Sequence, residues 1–506
     1  MKKIVYLSLD ERPCNYDFPV KLFDKNDFKI KRIDKSMLGY KKKPAHIEVI
    51  KTWLLEQTQD AYGLVISLDT LIYGGILPSR LHHHSKKDLE SRIDIIKTIK
   101  KNNPKIVIYG FQLIMRCPGY NSSEEEPDYY ETYGKNIHQI GFIKHLIELN
   151  KADQQQIDRL SEIKVPAKFL DDYIERRHIN RQINIATLEL VEQQIIDFLV
   201  IPQDDSATFG WTAMDQKEIY NVIDEKNLHT KVYMYPGADE VGMTLMARMY
   251  NLVKHKRPKL YIKYPSITSP MIIPNIEDRY LDTTVKYQII VSGGIVVHSL
   301  NDADAVVFIN APADKMLSRL SNQEAGRGFI QLRNMPEAIE FIEYACKNLN
   351  LPIIIGDVTY GNGSSLEIYN YLKAKQMIFD IAAYGGWNTA SNAIGGAIAQ
   401  GMAYIHDGKT QQLMDFLMLR YVEDIVWDGY VRQSIKNEIL PKYSEFNYYD
   451  VKEVNGEFSK IAKKEMLSFI EKNMPELANL IKINDVKMPW KRMYEIDIDI
   501  TYKGKI

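Results

Sequence analysis

The sequence predicts an α/β protein: two Rossmann-like domains with parallel sheets, a helical insertion in the first, and a mixed C-terminal appendage. Three observations lead there. Short, continuous apolar runs alternate with segments of helical periodicity, the pattern of strands buried on both faces of a parallel sheet. The alternation lapses at 119–195 and again after 405. Finally, 506 residues exceed what a single core ordinarily holds.

In chain order, strands are predicted at 3–9, 63–68, 105–110, 197–201 and 231–235. Helices are predicted at 45–57, 87–101, 214–226 and 239–254. The stretch 119–195 opens on NSSEEEPDYYETYG and continues through polar helices at 137–149 and 171–195. It reads as an insertion, either a lid over the sheet edge or a solvated helical hairpin. Prolines 258, 265, 270 and 274 mark a boundary, giving domains 1–256 and 257–405. The second domain starts with a helix at 277–290 that Gly293 and Gly294 close. Strands follow at 295–298, 305–309, 353–356 and 379–383, with helices at 335–348 and 364–374. Residues 406–506 are polar, contain no repeat and read as a packing appendage.

Charge and cysteine usage exclude several function classes. With 65 basic and 66 acidic residues, no global field draws nucleic acid or an anionic membrane. The three cysteines are widely spaced and odd in number, so neither a disulfide framework nor a thiolate metal cluster is expected. A reducing compartment fits. MKKIVYLSLD reads as a first strand rather than a signal peptide, and no apolar run reaches the roughly 20 residues needed to span a bilayer. A cytoplasmic location is therefore expected.

Acids recur where strands end. Asp10 follows the first strand, and Asp69 follows GLVISL. Asp204 and Asp205 follow FLVIP, Asp239 and Glu240 follow VYMYPGA, and Asp357 follows IIIG. Open parallel sheets bind ligands outside the carboxyl ends of their strands, so these are candidate site residues. Single acids at such positions also cap helices, an alternative that stays open for Asp69, Asp239 and Glu240. The adjacent pair Asp204-Asp205 is the candidate catalytic pair. Two close carboxylates raise one pKa by repulsion, placing a proton donor beside a base or charge stabiliser. A cap for the following helix would account for only one of them. The His82–His84 run lacks helical i, i+4 ligand spacing and reads as a solvated tract.

Arg12, Arg80 and Arg116 each follow a predicted strand within one loop. They can clamp an anionic or hydroxylated ligand, or pair with the neighbouring acids. GDVTYGNGSS (356–365) is glycine-rich but lacks the phosphate-loop ending and the dinucleotide spacing. In AAYGGWNTASNAIGGAIAQG (382–401), Trp387 offers a face for a flat ligand. Asn388 and Asn392, one helical turn apart, offer amides to hydroxyls. A core tryptophan followed by a capping asparagine is the alternative.

Together, LDERPCN, LDTLIYGG…SR, PQDDSATFGW, YPGADEVG, DVTYGNG and GWNTASN resemble the ordered motifs of a large, uncharacterised bacterial family of unknown function. The resemblance covers nearly the whole chain and implies no activity. The adjacent aspartates at a strand end are also loosely similar to those of substrate-assisted hexosaminidases, but the second half is too Rossmann-like for a single (β/α)8 barrel.

Three functions remain. The first is hydrolysis of a sugar-containing small molecule in an interdomain cleft. Here Asp204 and Asp205 do the acid–base work without a cofactor, and Trp387 and Asn388 recognise the ring. The second is a hydrolase or lyase using the same acids to hold magnesium, calcium or manganese. The third is a non-catalytic binder of carbohydrate or another polar metabolite.

Overall fold

The computed structural model describes residues 1–321 and 324–506. Their contacts divide the chain into two compact units. The first comprises Met1–Glu11, Lys25–Gly242 and Ile276–Asp278; the second comprises Arg12–Asp24, Met243–Asn275 and Arg279–Ile506. Residues 243–256, read by sequence as part of the first domain, and 406–506 both fall in the second unit.

The first unit is built on a six-stranded sheet formed by β1 (Lys2–Leu7), β2 (Phe28–Arg32), β3 (Gly63–Ser67), β4 (Val107–Phe111), β5 (Phe198–Gln203) and β6 (Val232–Pro236). The order is β2-β1-β3-β4-β5-β6, and every pairing is parallel. Strands β3 and β5 are buried at every residue, as continuous apolar runs in a two-sided parallel sheet require. The edge strand β2, sequence FKIKR, is absent from the sequence reading. Its alternating lysines, usual on an edge, hide the two buried positions Phe28 and Ile30.

The second unit carries β7 (Lys259–Lys263), β8 (Ile295–Val297), β9 (Ala305–Asn310), β11 (Ile353–Asp357) and β13 (Ala383–Gly385). They form a parallel sheet in the order β13-β11-β9-β7-β8. Two short strands, β10 (Leu317–Ser318) and β12 (Tyr360–Gly361), pair separately. Strand β7 sits inside the sheet although prolines 258 and 265 made its sequence read as linker. The strand expected at 379–383 begins only at Ala383, after a turn closed by Asp380 N–H donating to the Met377 carbonyl. The helix expected at 277–290 starts at Leu281.

Beyond residue 405, the helix Gln411–Arg420 runs directly into an eleven-residue π-helix, Tyr421–Val431. The helix Glu457–Asn473 and an antiparallel hairpin of β14 (Ile481–Lys487) and β15 (Asp497–Tyr502) complete this region. No helix among the described residues is long and apolar enough to cross a membrane.

The insertion after β4 consists of three helices, Tyr130–Glu148, Gln154–Glu162 and Ala167–Glu192. The first packs on the helix Trp211–Glu225 through Gly141, where a Cβ would overlap the Trp211 indole. That indole N–H donates to the Ile137 carbonyl at 2.9 Å. Gly141→Ala is therefore expected to destabilise the protein by about 1–3 kcal/mol in denaturant melts, the cost of overpacking a filled core. An unchanged midpoint would mean that the two helices have room to part.

Candidate functional site

The strand-end acids of the first unit meet two arginines. Arg80 caps the short helix Ile76–Ser79 beyond β3, and Arg116 lies just beyond β4. Asp204 accepts a hydrogen bond from Arg80 Nη2 at 2.5 Å, and Asp205 accepts one from Arg116 Nη1 at 3.0 Å. Asp205 takes a left-handed backbone (φ 45°), a conformation aspartate tolerates better than most residues. Neither aspartate caps the following helix, whose N-cap is Gly210 without a side-chain bond.

Two further carboxylates, both missed by the sequence reading, bridge the arginines from the other side. Glu126 Oε1 accepts from Arg80 Nη1 at 3.1 Å and from Arg116 Nε at 2.7 Å. Glu125 Oε2 accepts from Arg80 Nη1 at 3.2 Å and from Arg116 Nη2 at 2.8 Å. Of the two uses foreseen for Arg80 and Arg116, ligand clamp or acid partner, the structure displays the second.

The insertion holds this arrangement in place. Its third helix presents Tyr173, Arg177, Asn180, Asn184 and Thr187 at heptad-like spacing, which keeps them on one stripe. After β4, Gln112 and Ile114 still pair with β5 through their N–H groups, while the carbonyls of the stretch need other donors. Tyr173 and Arg177 donate to the Arg116 carbonyl, and Arg177 also to that of Met115. Asn180 donates to the carbonyl of Ser79, next to Arg80, and Asn184 to that of Leu113. Asp215 in turn fixes Arg177 at 2.5 Å. The helix is thus a brace for both arginine-bearing loops. Asn180 also holds His82, which is buried rather than solvated as expected; burial lowers its pKa to about 4.

Charge states in this cluster are uneven. Burial pushes Asp205 up to about 6 against the pull of Arg116, with Asp204 adding to the rise. Its side chain nevertheless remains 22% exposed, within reach of a ligand. Asp69 is 1% exposed, and burial raises it to about 7 although the Leu113 N–H donates to it at 2.9 Å. The N-cap of its helix is Ser67, not Asp69. Burial and Arg116 work against the charge of Arg80, but Glu126, Asp204 and Glu125 outweigh them and lift its pKa. At the flanking strand ends, Asp10, Asp239 and Glu240 are also buried in this unit. Glu240 accepts from the Ala238 N–H at 2.9 Å.

The remaining candidates belong to the second unit. Arg12 pairs with Glu495 at 3.2 Å and lies over the Trp490 ring. Asp357 is fully engaged: Asn310 and Thr359 donate to one oxygen and Tyr384 to the other. Burial raises it to about 6 against the Thr359 and Tyr384 bonds. Trp387 is only 7% exposed, and its Nε1 has no hydrogen-bond partner among the described residues. Its ring faces the Arg420 guanidinium at 5.9 Å, so it is a packed residue rather than an open platform. Asn388 does not share a helical turn with Asn392. It sits outside the helix at φ 56°, and Thr389 caps the helix by accepting from the Asn392 N–H. Asn388 instead bonds Tyr494, whose hydroxyl also donates to Asn362 in the glycine-rich loop.

That loop and the π-helix are interlocked. Asp424 accepts from the Gly386 N–H at 2.7 Å through its side chain and from the Ser364 N–H at 2.9 Å through its carbonyl. At Gly363 (φ 133°) a Cβ would fall 2.6 Å from the Asp428 backbone. Glu423, Asp424 and Asp428 bring carboxylate oxygens within 4.8 Å of one another, the one such group able to hold a cation among the described residues. Arg420 pairs with Glu423 and Asp424, and Arg432 with Asp428, so those guanidinium groups already serve the carboxylates. Burial raises the pKa of all three acids. The sequence reading took this region for an appendage.

Residues 4–499 match the model of a family described as "Protein of unknown function (DUF4127)". The chain belongs to this family. No curated protein and no solved structure is similar enough to the chain to count as a match.

The acid with the highest pKa in the first-unit cluster yields a pH test. Asp69 has its folded pKa raised from 3.8 to about 7, so its contribution to stability is complete below 3.8 and is lost as pH rises through about 7. Asp69→Asn keeps an acceptor for the Leu113 N–H and removes the titration. Its stability relative to the parent protein should therefore climb across that window. A difference that stays flat with pH would remove Asp69 from the raised-pKa group.

Proposed function

We propose that the chain is a hydrolase of a sugar-containing substrate, with Asp205 as proton donor and Asp204 as its carboxylate partner. The observation carrying this reading is the unequal treatment of two adjacent aspartates. Asp204 is ion-paired with Arg80, whereas burial outweighs Arg116 and keeps the proton on Asp205 to about pH 6. Glycoside hydrolysis needs such a pair and no cofactor. Asp205 would protonate the leaving oxygen as the bond to the sugar carbon breaks. Asp204 would support the developing positive charge and the attack of water, which supplies the new hydroxyl and returns a proton to the site.

Metal ligation by these acids, the second function considered, would compete with the guanidinium groups that Asp204, Asp205, Glu125 and Glu126 already engage. Free Cys14, Cys117 and Cys346 accord with a reducing, cytoplasmic setting. The near-zero net charge favours a small polar or carbohydrate partner over nucleic acid or a membrane.

The test is Asp205→Asn assayed against a glycoside panel. Turnover should fall by about 10²–10⁴-fold, the usual worth of general acid catalysis, with the melting temperature nearly unchanged. The parent rate should decline as pH rises through about 6, because the acid must carry its proton. Exhaustive chelation should leave the rate unaltered; activity restored only by added magnesium, calcium or manganese would establish the metal-dependent mechanism instead.

A further inference from the structure

We propose that Glu126 is a positioning residue: by gripping Arg80 and Arg116 together, it stations one guanidinium on each of the two adjacent aspartates. The proposal rests on the acid–base reading of Asp204 and Asp205. Its evidence is geometric. Glu126 is 1% exposed, and a single oxygen, Oε1, receives a hydrogen bond from both arginines. The other oxygen, Oε2, is equally buried and has no hydrogen-bond partner among the described residues. Such an arrangement is costly for a carboxylate. It fits a residue whose place is fixed by the arginines it joins.

The joint sets both distances on the catalytic side. Arg116 gives Nε to Glu126 and Nη2 to Glu125, which leaves Nη1 for Asp205. Arg80 gives Nη1 to the two glutamates, which leaves Nη2 for Asp204. With each guanidinium plane tied down on one edge, the opposite edge is aimed at one aspartate. Chain connectivity reinforces the division, because the two glutamates are consecutive, as are the two aspartates. Four carboxylates then face two guanidinium groups, and the excess of negative charge favours retention of a proton. Asp205, the most exposed of the four, is where a leaving group can collect it. The charged and titratable groups acting on Asp205 are Arg116, Asp204, Arg80 and Glu125, with Tyr120 also coupled to it.

The experiment follows the Asp205 carboxyl by ¹³C NMR in the full chain labelled at aspartate, assigned by loss of its signal in Asp205→Asn. In Glu126→Gln the charged grip on both guanidinium groups is lost, and Arg116 can leave Asp205. Because Arg116 holds the Asp205 pKa down, the midpoint should rise from about 6, by about 1 pH unit. Loss of the Glu126 charge with Arg116 still in place would move it the other way. Glu126→Asp keeps the charge but shortens the reach; it should also raise the midpoint, and it serves if Glu126→Gln does not fold. A parent midpoint in the ordinary aspartate range would remove the acid role of Asp205. A parent midpoint near 6 that stays put or falls in the Glu126 variants would remove the positioning role of Glu126 alone.

Discussion

Two buried guanidinium groups organise the first unit. An isolated carboxylate taken out of water loses several kcal/mol of hydration, and the carboxyl ends of β3 and β5 gather Asp69, Asp204 and Asp205 in one region. Arg80 and Arg116 make that gathering possible, and Glu125 and Glu126 keep the two arginines in register. Because the arginines sit on loops, the loops themselves must be rigid, and the brace helix Ala167–Glu192 supplies the donors that fix their carbonyls. Hydrogen bonding at the brace, charge pairing at the arginines and proton retention at Asp205 are successive links of one chain.

The second unit meets the same electrostatic demand with a different device. Its acids lie on a π-helix, whose wider turn is rare and concentrates at functional positions. There Arg420 and Arg432 come from the same helical segment as the acids they neutralise, at i, i+3 and i, i+4 spacing. Asp424 spends its remaining oxygen on the Gly386 N–H, so charge pairing and loop anchoring coincide at one side chain. The close contact at Gly363 lets the glycine-rich loop lie directly on this helix. These features give Gly363 a packing role.

Much of the architecture was legible because periodicity reports burial directly. Strands such as β3 and β5, apolar at every position, and amphipathic helices such as Lys86–Asn102 announce themselves. The edge strand β2 did not, since its lysines mask the alternation, and β7 was hidden by flanking prolines. Asp69, Arg80, Arg116, Asp204 and Asp205 were legible as strand-end residues and do come together. Glu125 and Glu126 were not, because an EEE run reads as solvated until tertiary contacts bring arginines to it. The polar stripe from Tyr173 to Thr187 misled for a related reason: a helix that faces exposed carbonyls needs polar residues, and in sequence that resembles a helix facing water. Trp387 shows the opposite error, an aromatic after a glycine pair that looks like a platform and is packed against Arg420.

The connectivity between the units bears on how the protein is made. Residues 12–24 branch off immediately after β1, yet they belong to the second unit, where Phe18 packs edge-on against Phe416 and lies under the Arg420 guanidinium. A ribosome extending the chain at about 5–20 residues per second needs tens of seconds to deliver those partners. Throughout that interval Phe18 lacks these two native partners, although Phe23 can meet the Tyr250 ring earlier. Neither unit is a continuous stretch of chain, so truncation at residue 256 cannot yield a self-contained piece, and the second unit cannot close until both ends of the polypeptide have met. The native surroundings of residues 12–24 are thus completed only once the helix that carries Phe416 and Arg420 has been made.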